Sequence, residues 1–231
     1  TIVCRQEGGA AYMAEAAGKI TGQPGIVMVT RGPGATNASC GIHVASQDST
    51  PLIMFVGQVA RDMKEREAFQ ELDYKAVFGT MAKWVVEIDR AERIPEIVSR
   101  AFHVATQGRP GPVVIDIPKD VQIMKARYTK PGVISHKTYK PQVKGDLAAI
   151  EAAVDMLAAA ERPILYTGGG VINSGPVASQ LLRELAKATG APVTSTLMGL
   201  GSVPDDHPQF LGMLGMHGSY EANMAMNKCD L

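Results

Sequence analysis

Cysteine is scarce in this chain: Cys4, Cys40 and Cys229 lie far apart among 231 residues. So few thiols, odd in number and without metal-ligand spacing, speak against a disulfide framework and for a reducing compartment. Net charge is absent as well, Lys plus Arg equalling Asp plus Glu at 23 each. No overall field therefore draws the molecule to nucleic acid or to an anionic membrane. The mixed-sign run Arg61-Asp62-Met63-Lys64-Glu65-Arg66-Glu67 reads as a solvated face. No apolar stretch approaches the roughly 20 residues that span a bilayer, and no secretory signal opens the chain. Aromatics are few, at 5%, yet apolar residues reach 45% and are weighted to Ala, Val, Ile and Met. That is ample for the core of one large or two ordinary domains. The chain opens at Thr1 without Met and stops at Cys229-Asp230-Leu231, which reads as the entrance to a strand. Both ends are expected to fall inside domains, and the chain to be a fragment.

Short β-branched runs alternate with helical periodicity throughout. Helices are predicted over residues 10–20, closed by Gly22, then 35–46, 74–81 and 94–105. Between them, strands are predicted at 26–30, 52–56, 84–88 and 113–117, continuous apolar runs of the kind a buried parallel strand needs. From 121 to 143 the pattern lapses into lysines, prolines and two tyrosines, an expected interdomain linker. Asp146 then caps a helix over 147–159, followed by a strand at 164–167, a helix over 177–189, a strand at 193–196 and a helix over 220–227. The fold class is α/β, with doubly wound parallel sheets. Its expected division is a first domain over 1–120, the linker 121–143 and a second domain over 144–231.

Three places carry chemistry. Glu7 opens an apolar helix close to a glycine-rich turn; a carboxylate in a poorly solvated site has a raised pKa and can share a proton with a heterocyclic nitrogen. Read alone, it equally favours the positive end of its helix. Gly32-Pro33-Gly34 bends the chain tightly and lets the backbone approach a neighbour; it could also cradle phosphate, although no Gly-Lys-Ser/Thr ending follows it. Gly168-Gly169-Gly170 lies between a predicted strand and a helix, where a glycine turn can meet a dinucleotide pyrophosphate, without forming a Gly-x-Gly-x-x-Gly fingerprint. His43 reads as structural, and no His/Cys/Asp cluster has metal-ligand spacing.

Taken together, seven segments resemble the thiamine-diphosphate enzymes of the acetolactate (acetohydroxyacid) synthase family. They are Glu7-Gly8-Gly9-Ala10-Ala11-Tyr12-Met13-Ala14-Glu15, Gly32-Pro33-Gly34-Ala35-Thr36-Asn37, Gly57-Gln58-Val59, Ala68-Phe69-Gln70-Glu71, Gly108-Arg109-Pro110-Gly111-Pro112-Val113, Pro118-Lys119-Asp120 and Met213-Leu214-Gly215-Met216-His217-Gly218. Their order and spacing follow the family across nearly the whole chain. The resemblance implies a partial pyrimidine-binding domain followed by part of the central domain that carries FAD in the synthases.

It also implies roles. Glu7 would face the pyrimidine ring of thiamine diphosphate and activate the cofactor, beside Gly32, Pro33, Gly34 and Asn37. Phe69, Gln70 and Lys119 would line the route of the 2-keto acids, where a lysine suits a carboxylate. Arg109, Gly168, Gly169, Gly170, Thr196, Leu197, Met198, Met216, His217 and Gly218 would contact FAD, which performs no redox step in the synthases. Diphosphate and Mg2+ are held in the family by a third domain with a Gly-Asp-Gly start, and this chain contains no Gly-Asp-Gly. The implied reaction decarboxylates pyruvate and joins the remaining two-carbon unit to a second 2-keto acid, in branched-chain amino acid biosynthesis. A cytoplasmic homodimer or homotetramer is implied, with a possible regulatory small subunit; the fragment alone is expected to be inactive.

Two residues depart from the family. Gly8 stands where the synthases usually carry glutamine, and Arg31 where they carry serine. An arginine there could reach a substrate carboxylate or point to solvent. These changes keep open another 2-keto-acid decarboxylase or an acyltransferase of the same superfamily, and a non-catalytic relative that binds FAD or mediates assembly.

Overall fold

The computed structural model describes residues 1–132 and 139–231. It resolves into two compact units, Thr1–Gln142 and Val143–Leu231.

The first unit runs α1 (Glu7–Thr21), β1 (Gly25–Val29), α2 (Pro33–Asn37), α3 (Ser39–Gln47), β2 (Leu52–Gln58), α4 (Tyr74–Phe78), β3 (Trp84–Glu87), α5 (Ile94–Thr106), β4 (Pro112–Pro118) and α6 (Lys119–Ile123). Its four strands form one parallel sheet in the order β1-β2-β4-β3. Side-chain alternation splits the central strands between two cores. Leu52, Met54, Val56 and Val114 face the helices around α1 and α3, with Tyr74 and Phe78, whereas Ile53, Val113 and Ile115 face α5. Helices cover both faces, which is why these strands read as unbroken apolar runs. The expected Gly22 stop is present: it caps α1 in the left-handed conformation at φ 68°.

The second unit runs α7 (Leu147–Ala159), β5 (Leu165–Thr167), α8 (Gly169–Asn173), α9 (Pro176–Thr189), β6 (Val193–Ser195), β7 (Phe210–Met213) and α10 (Tyr220–Lys228). Its parallel sheet has the order β5-β6-β7, over a small core of Ala186, Val193 and Val203. Asp146 caps α7, its carboxylate accepting from the Ala148 N–H at 3.2 Å.

Several elements differ from the sequence reading. The helix expected over 35–46 is two helices meeting at Ala38, because the Thr36 hydroxyl bonds back to the Gly32 and Pro33 carbonyls and bends the first turn. The helix expected over 74–81 ends at Phe78. Helix α6 forms across the point where the pattern was expected to lapse, and part of that expected linker, 133–138, lies outside the described residues. Strand β7 was not anticipated: Gly212 sits at φ 82° and the register shifts beside it, so no two-residue alternation survives to be read.

Candidate functional site

In a parallel α/β sheet, ligands gather outside the carboxyl ends of the strands, where the connecting turns converge. Glu7 belongs to this edge of the first unit. Gln6 caps α1 by accepting from the Gly9 N–H at 2.9 Å, so the Glu7 carboxylate is not needed as a cap. It turns instead toward the Gly-Pro-Gly turn, where Asn37 Nδ2 donates to its Oε2 at 3.1 Å. A Cβ on Gly34 would stand 3.5 Å from Glu7 Oε1 and 2.8 Å from Thr30 Cγ2. Only the missing side chain lets the turn pack against Thr30 and stand this close to a carboxylate oxygen, which leaves the Glu7 carboxylate beside backbone where a ring nitrogen could meet it.

The electrostatics differ from the sequence reading. Glu7 is held below the ordinary carboxylate range, by the Asn37 amide first and by its own backbone N–H second; desolvation opposes both and is the smaller effect. A raised value was expected from burial, but in this chain the residue is only half-buried and hydrogen bonds to the charged form prevail.

The turn is locked to the loop that carries Phe69 and Gln70. Gly32 takes φ 57°, and a Cβ there would lie 2.8 Å from Gln70 Cβ, so only glycine accommodates both the turn and the contact. The buried Tyr74 hydroxyl accepts from the Gly32 N–H at 3.0 Å and donates to the Gly57 carbonyl at 3.3 Å. Arg31 Nε donates to the Phe69 carbonyl at 2.9 Å. Gln58, at the end of β2, donates to the Leu72 carbonyl at 2.8 Å. Phe69 itself is 75% exposed. Lys119 is exposed and opens α6 immediately beyond β4, at the same sheet edge. Its neighbour Asp120 is paired with Arg61 Nε at 2.7 Å.

Asp116 on β4 was not singled out in the sequence, although a carboxylate inside Val113-Val114-Ile115-Asp116-Ile117 was the available signal. It is 4% exposed, and its Oδ1 finds no hydrogen-bond partner among the described residues. Gln58 Nε2 reaches Oδ2 at 3.4 Å. Burial first, and the neighbouring Glu87 carboxylate second, push its pKa up to about 8. Lys64 pairs with Glu87 at 2.6 Å beside a cavity of about 380 Å³ that Gln58, Glu87 and Asp116 help to line.

Arg109 lies at the other edge, ahead of β4. Its guanidinium closes the end of α3, donating to the carbonyls of Ser46 and Gln47 at 3.2 and 3.0 Å and to Ser49 Oγ at 2.7 Å. The structure does not bring it together with Glu7.

In the second unit, the segments expected to meet a flavin converge at the carboxyl edge of the sheet. Gly168-Gly169-Gly170 follows β5, Thr196-Leu197-Met198 follows β6, and Met216-His217-Gly218 follows β7. A Cβ on Gly199 would stand 2.7 Å from the Thr167 carbonyl, and one on Gly169 would stand 3.1 Å from Met198 Cβ. Those two glycines serve the close approach of the two turns, while Gly170 keeps an open face. Met216 is 91% exposed, and Asn223 clasps Gly215 through both its N–H and its carbonyl. An open glycine and exposed side chains on adjoining turns suit an extended ligand laid across the edge. Among the described residues, no group of three or more His, Cys, Asp or Glu could hold a metal ion.

The family model described as thiamine pyrophosphate enzyme, N-terminal TPP binding domain, matches residues 1–77, and the one described as thiamine pyrophosphate enzyme, central domain, matches residues 150–231. Over its whole length the chain is 43% identical to the acetolactate synthase isozyme 3 large subunit of Escherichia coli (strain K12), of which it spans 40%. It is 44% identical to the acetolactate synthase large subunit of Haemophilus influenzae, again spanning 40%. To the probable acetolactate synthase large subunit of Methanocaldococcus jannaschii it is also 44% identical, spanning 39%. With both models matched in order and Glu7 at the turn edge of the first unit, the chain belongs to the thiamine pyrophosphate enzymes.

Proposed function

We propose that the whole protein is the catalytic large subunit of an acetolactate synthase, acting on pyruvate and a second 2-keto acid in branched-chain amino acid biosynthesis. The observation that carries this reading is the Glu7 carboxylate, oriented by Asn37 beside the close-packed Gly-Pro-Gly turn. Thiamine diphosphate, when bound, supplies the nucleophilic carbon for decarboxylation and carbon–carbon bond formation. Glu7, a carboxylate in this chain, presents Oε1 to share a proton with a ring nitrogen, and Asn37 fixes the carboxylate plane. Gly32, Pro33 and Gly34 set how closely the backbone approaches the ring. Phe69 and Gln70, on a loop locked to that turn, together with Lys119, shape the acceptor site. Arg109 and the three second-unit turns, Gly168–Gly170, Thr196–Met198 and Met216–Gly218, are assigned to FAD, and the ligands of Mg2+ and the diphosphate to residues outside this chain. Residues 1–120 and 144–231 are taken as the pyrimidine-binding and central parts, joined by 121–143. A cytoplasmic homodimer or homotetramer with a regulatory small subunit completes the reading; that the relatives are named large subunits supports the last point.

The full-length protein, supplied with pyruvate, thiamine diphosphate, Mg2+ and FAD, is expected to form acetolactate. Glu7→Gln is expected to lower kcat by orders of magnitude with an unchanged Tm, since the side chain is half-exposed and caps nothing. Near-normal turnover in that variant would sink the assignment. A second reading, a 2-keto-acid decarboxylase or acyltransferase of the same superfamily, is favoured by Arg31 and Gly8 beside the site; acetaldehyde or an acylated product in place of acetolactate would select it.

A further inference from the structure

Arg31 occupies a defined place that its sequence position left open. It follows β1 by two residues and precedes the left-handed Gly32. Its Nε is engaged by the Phe69 carbonyl, and its guanidinium carbon lies 5.9 Å from the centre of the Phe69 ring. The side chain is half-buried. Among the described residues it forms no ion pair, and that carbonyl is its one hydrogen-bond acceptor.

Neighbouring acids are committed elsewhere. Glu71 accepts the N–H groups of Glu65 and Ala68 at 2.7 and 3.2 Å, Glu7 is held by Asn37, and Asp116 sits beside Glu87 and Gln58. A half-buried guanidinium without a counter-charge is partly desolvated, and a bound anion offsets that cost. With Nε occupied, the N–H groups on Nη1 and Nη2 remain, in the planar fork that matches a carboxylate. The mount is rigid: Tyr74 bridges Gly32 to Gly57, and Gln70 is wedged under Gly32 at φ 63°. Beside the fork, the exposed Phe69 ring offers an apolar face.

We infer that Arg31 and Phe69 form one subsite for a 2-keto acid, the guanidinium taking its carboxylate and the ring taking its alkyl chain. The subsite selects a monoanion with a short apolar tail over an uncharged carbonyl compound of the same shape. This inference rests on the 2-keto-acid chemistry proposed above. It makes Arg31 a specificity-determining residue, and not a solvated charge.

The test compares isobutyrate with isobutyramide, two unreactive probes of equal shape that differ in charge. Ligand-observed NMR titration of the full-length protein, with thiamine diphosphate and Mg2+ present, reads both affinities. Wild-type protein is expected to prefer isobutyrate. Arg31→Met is expected to weaken isobutyrate by about tenfold or more while leaving isobutyramide unchanged, the loss of one charge-assisted pair. Phe69→Ala is expected to weaken both probes alike. Equal binding of the two probes by wild-type protein, or a preference that survives Arg31→Met, overturns the inference. Should circular dichroism show Arg31→Met unfolded, Arg31→Lys decides: it keeps the charge without the fork, and undiminished isobutyrate binding by it overturns the inference as well. Because neither probe reacts, the result is separable from the reaction. A retained carboxylate preference without acetolactate formation would count against the proposed synthase and leave the subsite standing.

Discussion

Asp116 is pushed far from its ordinary state by burial and by Glu87, and the cost can be read in pH. Folded, its carboxyl titrates near 8 against an ordinary 3.8, so between those values the folded chain keeps a proton that the unfolded chain has lost. Stability from this group is fully present below about pH 4 and is lost as pH rises toward 8, each unit of separation being worth about 1.4 kcal/mol. Asp116→Asn abolishes that titration. The full-length variant is expected to melt close to wild type near pH 4 and several degrees above it at pH 8.5. A Tm difference that does not change with pH would refute this account. Glu7 shows the opposite case, where a donated amide outweighs partial burial and the carboxylate is favoured.

At the scale of elements, the first unit's site depends on two loops being joined. Tyr74, the first residue of α4, reaches across to the Gly-Pro-Gly turn and to the end of β2 with one hydroxyl. Tyr74→Phe leaves the buried Gly32 N–H without its acceptor and is expected to cost about 1–3 kcal/mol, measured by urea unfolding, with a larger fractional loss in activity than in stability. In the second unit the joint is steric. Gly199→Ala drives a methyl against the Thr167 carbonyl, and overpacking of this kind costs about 1–3 kcal/mol. If the β5 and β6 turns carry FAD, the same variant should also release flavin, read as loss of protein-bound absorbance near the visible flavin bands. Retained stability with Gly199→Ala would show that the two turns can separate.

For the whole molecule, the two units differ in how much core they own. The first has two apolar clusters, one on each face of its sheet, whereas the second has one small cluster built on Ala186, Val193 and Val203. Strands β2 and β4 are flanked on both sides and covered on both faces, so they open only with the unit. In hydrogen exchange of the full-length protein, their amides are expected to be the slowest of this chain, slower than those of β5. Phe78, fully buried against Tyr74 and the first core, is expected to cost about 3–5 kcal/mol when truncated to Ala. Faster exchange in β2 than in β5 would contradict this ranking.

Much of this architecture is legible in the sequence. Period and punctuation are local, so the strands at β1, β2 and β4, the Gly22 stop and the Asp146 cap followed from residues within a few positions of one another. The Glu7 and Gly-Pro-Gly segments were likewise visible as motifs. What the sequence could not supply was environment. The contacts that define the site join residues distant in the chain: Glu7 with Asn37, Arg31 with Phe69, and Asp116 with Gln58, separated by 30, 38 and 58 positions. No local pattern reports whether a carboxylate will meet an amide or another carboxylate, and that difference moves Glu7 down and Asp116 up. Sequence by itself determined the alternation of elements and the family; packing alone decided which charges are paired and which oxygens face a cavity, because desolvation and hydrogen bonding are properties of neighbours in space.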